Sequence, residues 1–314
     1  YSTVMNAWKF QKAIQAVEEV FTKCQNMYSK FGVQEAKPNS FVYGILLDTW
    51  IHNTKSENHM ERAEEILRNM YNVWIESGRE KDLEPNTILV TNVLDGWSKS
   101  SFQSGMGGER AQALFEWMLE KYQQDDALSM KPTDRTFAAV AKAWARSHSA
   151  QKATKARAVL DQMDQLQQDG VIDHKPNVFL YASVLNACAF TKDEAEKPNA
   201  IRIASATFRQ AIERSCANNV IYANFLAVAR NLLPPGAQRS KFVTTIFERC
   251  CQDGQTCDVV LKHLVGACDE WEQLLPPDAV SVLTGSIIPE RLPREWRRNV
   301  SQRKNNFNQR RRRQ

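Results

Sequence analysis

No run of eighteen apolar residues occurs in the 314-residue chain, so no segment is expected to span a membrane. No C-x-x-C pair occurs either. The seven cysteines, at positions 24, 188, 216, 250, 251, 257 and 268, are odd in number, which predicts reduced thiols in a cytosolic or organelle-matrix setting. The best zinc candidate is "CCQDGQTC" with His263 and Cys268 nearby, but Cys24 and Cys250 fall where other copies of a repeat carry a core Met. Buried thiols therefore account for them, and neither metal nor cofactor is expected. There is no Walker loop, G-x-S-x-G elbow or dinucleotide fingerprint. An initiator Met is also missing: "YSTVMNAWKF" reads as the middle of a helix, so the natural N-terminus, with any targeting signal, is expected to lie upstream.

Net positive charge is confined to one end. Residues 289–314 hold ten Arg/Lys and two Glu, net +8, against +5 for the whole chain, which leaves residues 1–288 at −3. The composition, 43% hydrophobic and 25% charged, is that of a folded protein.

What the chain does contain is one phrase written repeatedly. "KPNSFVYGILLDTW" (Lys37 to Trp50) returns as "EPNTILVTNVLDGW" (Glu84 to Trp97) and "KPTDRTFAAVAKAW" (Lys131 to Trp144). Its proline stands at Pro38, Pro85, Pro132 and Pro176, 47, 47 and 44 residues apart, with a weaker copy from Ala217, a truncated one at Tyr1 and a degenerate one near Thr256. In each copy an aromatic or apolar residue opens a helix, at Tyr1, Tyr43, Val90, Phe137, Tyr181 and Tyr222, and mostly apolar residues follow three, four and seven positions on. That is one face of a helix. Proline followed by Asn or Thr marks the helix start, and a small residue before the Trp column (Ala7, Gly96, Ala143, Ala187) predicts close helix approach.

A second helix follows each first one. Ala63, Ile66, Leu67, Met70 and Trp74 form its apolar stripe in one copy, matched by Ala111, Leu114, Phe115, Met118 and Tyr122, then Ala156, Val159, Leu160 and Met163. Asn58 with Glu61 predicts a capping box for one of these helices. Constant helix pairs joined by variable turns describe an all-α fold, a right-handed α-solenoid of tandem helix-turn-helix repeats. We expect about six to seven pairs over residues 1–275, a C-terminal cap over 276–300 and a disordered Arg-rich tail over 301–314.

These columns resemble the pentatricopeptide repeat (PPR) family over about residues 1–255. In the copy from Pro85 to Pro132 they are Val90, Ala111, Phe115, Met118 and Pro132. The copies are 41 to 47 residues long, against about thirty-five in the family, like the elongated repeats of some algae. The resemblance implies single-stranded RNA binding along the first helices, one base per repeat, in a mitochondrial or plastid matrix. It implies base reading by the residue after the opening aromatic together with the residue after the closing proline. Those pairs are Ser2 with Asn39, Gly44 with Asn86, Thr91 with Thr133, Ala138 with Asn177, and Ala182 with Asn218. Gly and Ala cannot hydrogen-bond a base edge, so weak sequence reading is expected in the middle of the array. Apolar residues two before the aromatic, Phe41, Ile88, Phe179 and Val220, correspond to the family's base wedges, and Arg135 departs from that pattern. Lys99 and Arg146 match its phosphate contacts, and His52 matches in part. Some relatives carry a cytidine deaminase domain; its Pro-Cys-x-x-Cys is missing here.

The tail ends in Arg310, Arg311, Arg312 and Arg313, which suit phosphate oxygens. The expected function is therefore non-catalytic: a monomer that binds RNA and acts in organellar transcript processing, stabilisation or translation. The competing reading is a protein-interaction scaffold whose tail touches RNA nonspecifically, favoured by the near-neutral body and by Asp48 and Asp95 on the first-helix face.

Overall fold

The computed structural model describes residues 1–11, 13–54, 58–124, 127–281 and 284–300, the side chains of 101–104 excepted. Among the described residues the chain is all-helical, with thirteen α-helices and no strand. They are α1 (Ser2–Phe10), α2 (Ile14–Phe31), α3 (Ser40–Ile51), α4 (His59–Glu76), α5 (Thr87–Ser104), α6 (Gly107–Gln124), α7 (Asp134–Arg146), α8 (Lys152–Gln168), α9 (Val178–Ala189), α10 (Lys197–Glu213), α11 (Asn219–Leu232), α12 (Ala237–Gln252) and α13 (Asp258–Ala267). The Arg-rich tail from 301 on, with Arg310 to Arg313, lies outside the described residues.

The chain forms two compact units, Tyr1–Ala187 and Cys188–Gln314. In the first, odd-numbered helices pack on one another in order, α1 on α3, α3 on α5 and α5 on α7, and the even-numbered helices fill the layer beside them. In the second, α11 packs on α10, α12 and α13.

The apolar columns make the core of the first unit. Tyr43, Leu47, Met70, Val90, Phe115, Met118, Phe137 and Met163 are all buried. Ring edges join successive helices, Phe21 to Tyr43 at 5.1 Å and Phe115 to Phe137 at 4.9 Å between centroids. The Trp column adds a polar tie. Trp50 Nε1 donates to Glu18 (3.2 Å), Trp97 Nε1 to Glu64 (3.1 Å) and Trp144 Nε1 to Gln112 (3.1 Å), in each case on the preceding even-numbered helix. Glu64 is buried and also meets Arg68 (2.9 Å) and Arg110 (3.2 Å).

Close approach is real where the small residues stand. A Cβ on Gly96 would lie 2.5 Å from Met60 Cε, and one on Gly108 would lie 2.6 Å from Trp144 Cε3. The capping box expected at Asn58 does not form: Asn58 has φ −99° and ψ 24°, and its side chain makes no cap bond. A capping side chain needs extended backbone to reach the next amides, which Asn39 has, with φ −125° and ψ 174°.

In the second unit the segment after Pro293 closes over the end of α12. It holds a 3-10 turn at Arg294–Arg297, and Trp296 stands edge-on to Phe247 at 5.9 Å. Thr256 N donates to Trp296 O (2.8 Å), Asn299 N to Gly254 O (2.9 Å) and Arg298 to Gln252 O (2.6 Å), so carbonyls left over at the helix end find partners. Gly254 sits at φ 66°, and a Cβ there would stand 2.5 Å from Arg298 Cγ.

Candidate nucleic-acid interface

Each odd-numbered helix from α3 to α11 begins in the same way. The residue after the proline, or after Ala217 in α11, caps it through its own side chain. Asn39 Oδ1 accepts from Val42 N (3.0 Å), Asn86 Oδ1 from Leu89 N (3.1 Å), Asn177 Oδ1 from Leu180 N (3.0 Å), and Asn218 Oδ1 from Val220 N (3.0 Å) and Ile221 N (3.2 Å). Thr133 makes a reciprocal capping box with Thr136. The carbonyl oxygens of these Asn side chains are thus held in place by the fold, with both lone pairs used at Asn218 and one at the others, which leaves mainly their amide N–H groups for a ligand. At Asn177 that group donates to Asp134 (2.6 Å).

The partner positions are poorer still in chemistry. Ser2 opens α1, half-buried. Gly44 faces Leu89, whose Cδ2 would lie 3.3 Å from an added Cβ. Thr91 shares its hydroxyl with Thr136 (3.0 Å), Ala138 is buried and Ala182 half-buried. Of the five pairs, Ser2 with Asn39 joins a hydroxyl that no described contact engages to an amide donor, on two helices that pack together.

The second residue of each helix behaves differently. Phe41 is 60% exposed, Ile88 69% and Phe179 72% in the first unit, and Val220 is 43% exposed in the second. Arg135 holds the same place in α7, also exposed. Val259, second residue of α13 and 54% exposed, belongs to the same column. Sequence reasoning missed it, although counting three residues on from Thr256 reaches it.

The charges on the odd-numbered helices are largely matched in the first unit. Lys9 pairs with Asp48, and Lys142 with Asp95 at 3.0 Å. His52 Nδ1 lies 3.1 Å from Asp48. The two aspartates are therefore neutralised by lysines of adjacent odd-numbered helices. Lys99 and Arg146 are exposed, and Arg146 reaches back to Ser98 O at 3.5 Å.

The opening aromatics are structural. Burial pushes the phenol of Tyr43 above its usual range. Burial, and then the 2.5 Å hydrogen bond to Asp253, do the same at Tyr222. Cys250 and Cys251 lie against the buried hydroxyl of Thr256 at 3.9 and 3.5 Å, and burial raises both thiols, Cys251 to about 11. Among the described residues no three His, Cys, Asp or Glu side chains come together in a group that could hold a metal. No described helix is long and apolar enough to cross a membrane. No protein-family model matches the chain, and no curated protein is significantly similar to it.

Proposed function

We propose that the chain is an α-solenoid of PPR-like repeats that binds single-stranded RNA and acts by occupying it rather than by chemistry, as an organellar transcript-binding protein. The observation that carries this reading is the column of exposed apolar side chains at the second residue of successive helices, Phe41, Ile88 and Phe179 in one unit, Val220 and Val259 in the other. Exposed residues that recur at the same place within each unit, beside helix starts capped by a side chain at α3, α5, α9 and α11 though not at α13, suit bases stacked one by one, and stacking supplies about 1–3 kcal/mol per base whatever the sequence.

Base reading is expected to be weak. The cap bonds hold the Asn oxygens in place, and Gly44, Ala138 and Ala182 bring no donor or acceptor. Two phosphate contacts, Lys99 and Arg146, predict a salt slope of about −1.4 from the body of the protein. A scaffold for an extended polypeptide is the second reading, supported by the Lys9–Asp48 and Lys142–Asp95 pairs, which leave the first unit's helix face with little free charge.

Fluorescence anisotropy with a labelled single-stranded RNA pool and a duplex of equal length tests the choice. Preference for the single strand, weakened by Phe41→Ala and Phe179→Ala, supports RNA. Indifference to both at low salt sinks it.

A further inference from the structure

The acids that neutralise the odd-numbered helices stand five residues after the opening residue, at Asp48 and Asp95. At the same place α11 has Ala227 and α13 has Gly266. Cations nevertheless gather there. Arg230 reaches from α11 across α13, where a Cβ on Gly266 would stand 3.0 Å from its Cδ and 3.2 Å from a terminal guanidinium nitrogen. A Cβ there would press the side chain out of this position by a few tenths of an ångström. Its described partner is Asn231 Oδ1, 3.0 Å from Nε, and no described carboxylate pairs with it or with exposed Lys262.

His263 lies one turn before Gly266 on α13. Its Nδ1 is shut off from solvent and has no hydrogen-bond partner among the described residues. A buried polar atom without a partner costs about 1–3 kcal/mol, and with its Nδ1 closed to solvent the ring can sense an anion over α13 only through its charge. Burial, then Arg230 and then Lys262, lower the imidazole's proton affinity. Those two are the charged groups that act on the ring; α12, also packed on α13, contributes none.

We propose that Arg230, Lys262 and His263 form a binding site for a phosphate group on the α11–α13 face. Arg230 offers a guanidinium edge and Lys262 a mobile charge at the rim, and His263 beside them senses the anion, whose charge offsets the two cations and raises the ring's proton affinity. That the phosphate belongs to an RNA backbone rests on the reading above; the site itself needs only the anion.

The test follows the His263 ring by NMR in the whole chain, its signal identified with His263→Gln. The titrants are inorganic phosphate, chloride at matched ionic strength, and a twelve-nucleotide single-stranded RNA. The site predicts a saturable shift with phosphate, larger than with chloride, together with an upward move of the His263 titration. Arg230→Gln weakens phosphate binding about tenfold, and Gly266→Ala weakens it by displacing the guanidinium. Should Arg230→Gln melt the fold, Lys262→Gln, at an exposed position, reports instead. If RNA shifts the ring below the phosphate concentration needed, and Arg230→Gln reduces its salt slope by about 0.7, the ligand is a phosphodiester. If phosphate saturates the ring and RNA leaves it unmoved, the site stands as one for small phosphates and the RNA reading fails at this face. Equal shifts with chloride and phosphate, or no effect of Arg230→Gln and Lys262→Gln, overturn the site.

Discussion

At the residue scale the caps and the Trp partners matter most. Asn39, Asn86, Asn177 and Asn218 carry two burdens, an oxygen that caps and an amide that faces outward or toward a neighbour. Asn39→Ala is expected to cost about 1 kcal/mol of stability, while Asn39→Asp keeps the cap, loses the donor and adds a negative charge; urea midpoints separate the two. Loss of RNA binding in Asn39→Asp at unchanged midpoint, beyond that in Ser40→Asp, which adds the same charge one residue on, then belongs to base contact. Glu64 has the larger structural role, and Glu64→Ala, which strands Arg68, Arg110 and the Trp97 indole, is expected to cost about 3 kcal/mol. A denaturation midpoint unmoved by that change would refute the tie. The raised thiol of Cys251 gives a pH test. Its proton is held in the fold up to about 11, whereas in the unfolded chain it leaves near the ordinary thiol value of 9.0. The unfolded state binds fewer protons in that window, so stability is full below about pH 8.5 and falls as pH rises toward 11. Cys251→Ala should make that decline shallower without abolishing it, since the raised thiol of Cys250 keeps its share. The Trp-to-Glu tie was hidden in the sequence because its two columns lie 32 or 33 residues apart. Only their joint change shows it: the fourth copy carries Arg157 and Cys188 in those columns.

At the element scale, helix period and proline spacing made the pairs legible, since burial of one face is what the period records. The tight contacts were legible only as small residues before the Trp; that Gly108 also faces Trp144 required the packing. Gly108→Ala weighs two effects against each other. Alanine gains less than the about 1 kcal/mol it is worth in a helix interior, because Gly108 is the second residue of α6, and its Cβ at 2.6 Å from the indole forces overpacking of about 1–3 kcal/mol. We expect net destabilisation, relieved in part by Trp144→Leu; a stabilised Gly108→Ala would show that the ring simply moves aside. The cap expected at Asn58 failed because backbone conformation, rather than residue type, decides whether a side chain reaches the next amides.

At the scale of the whole molecule, the near-neutral body is a fold whose lysines in the first unit answer its own aspartates, a fact invisible to charge counting because Lys142 and Asp95 meet across 47 residues. What is left exposed in a regular pattern is apolar. The most direct measurement is anisotropy of single-stranded and duplex RNA with the whole chain and with the triple variant Phe41→Ala, Ile88→Ala, Phe179→Ala, at one fixed salt concentration. The account predicts a folded variant with a melting temperature close to that of the parent, since all three side chains face solvent, and single-strand affinity at least tenfold lower. Unchanged single-strand affinity in a folded triple variant would contradict it.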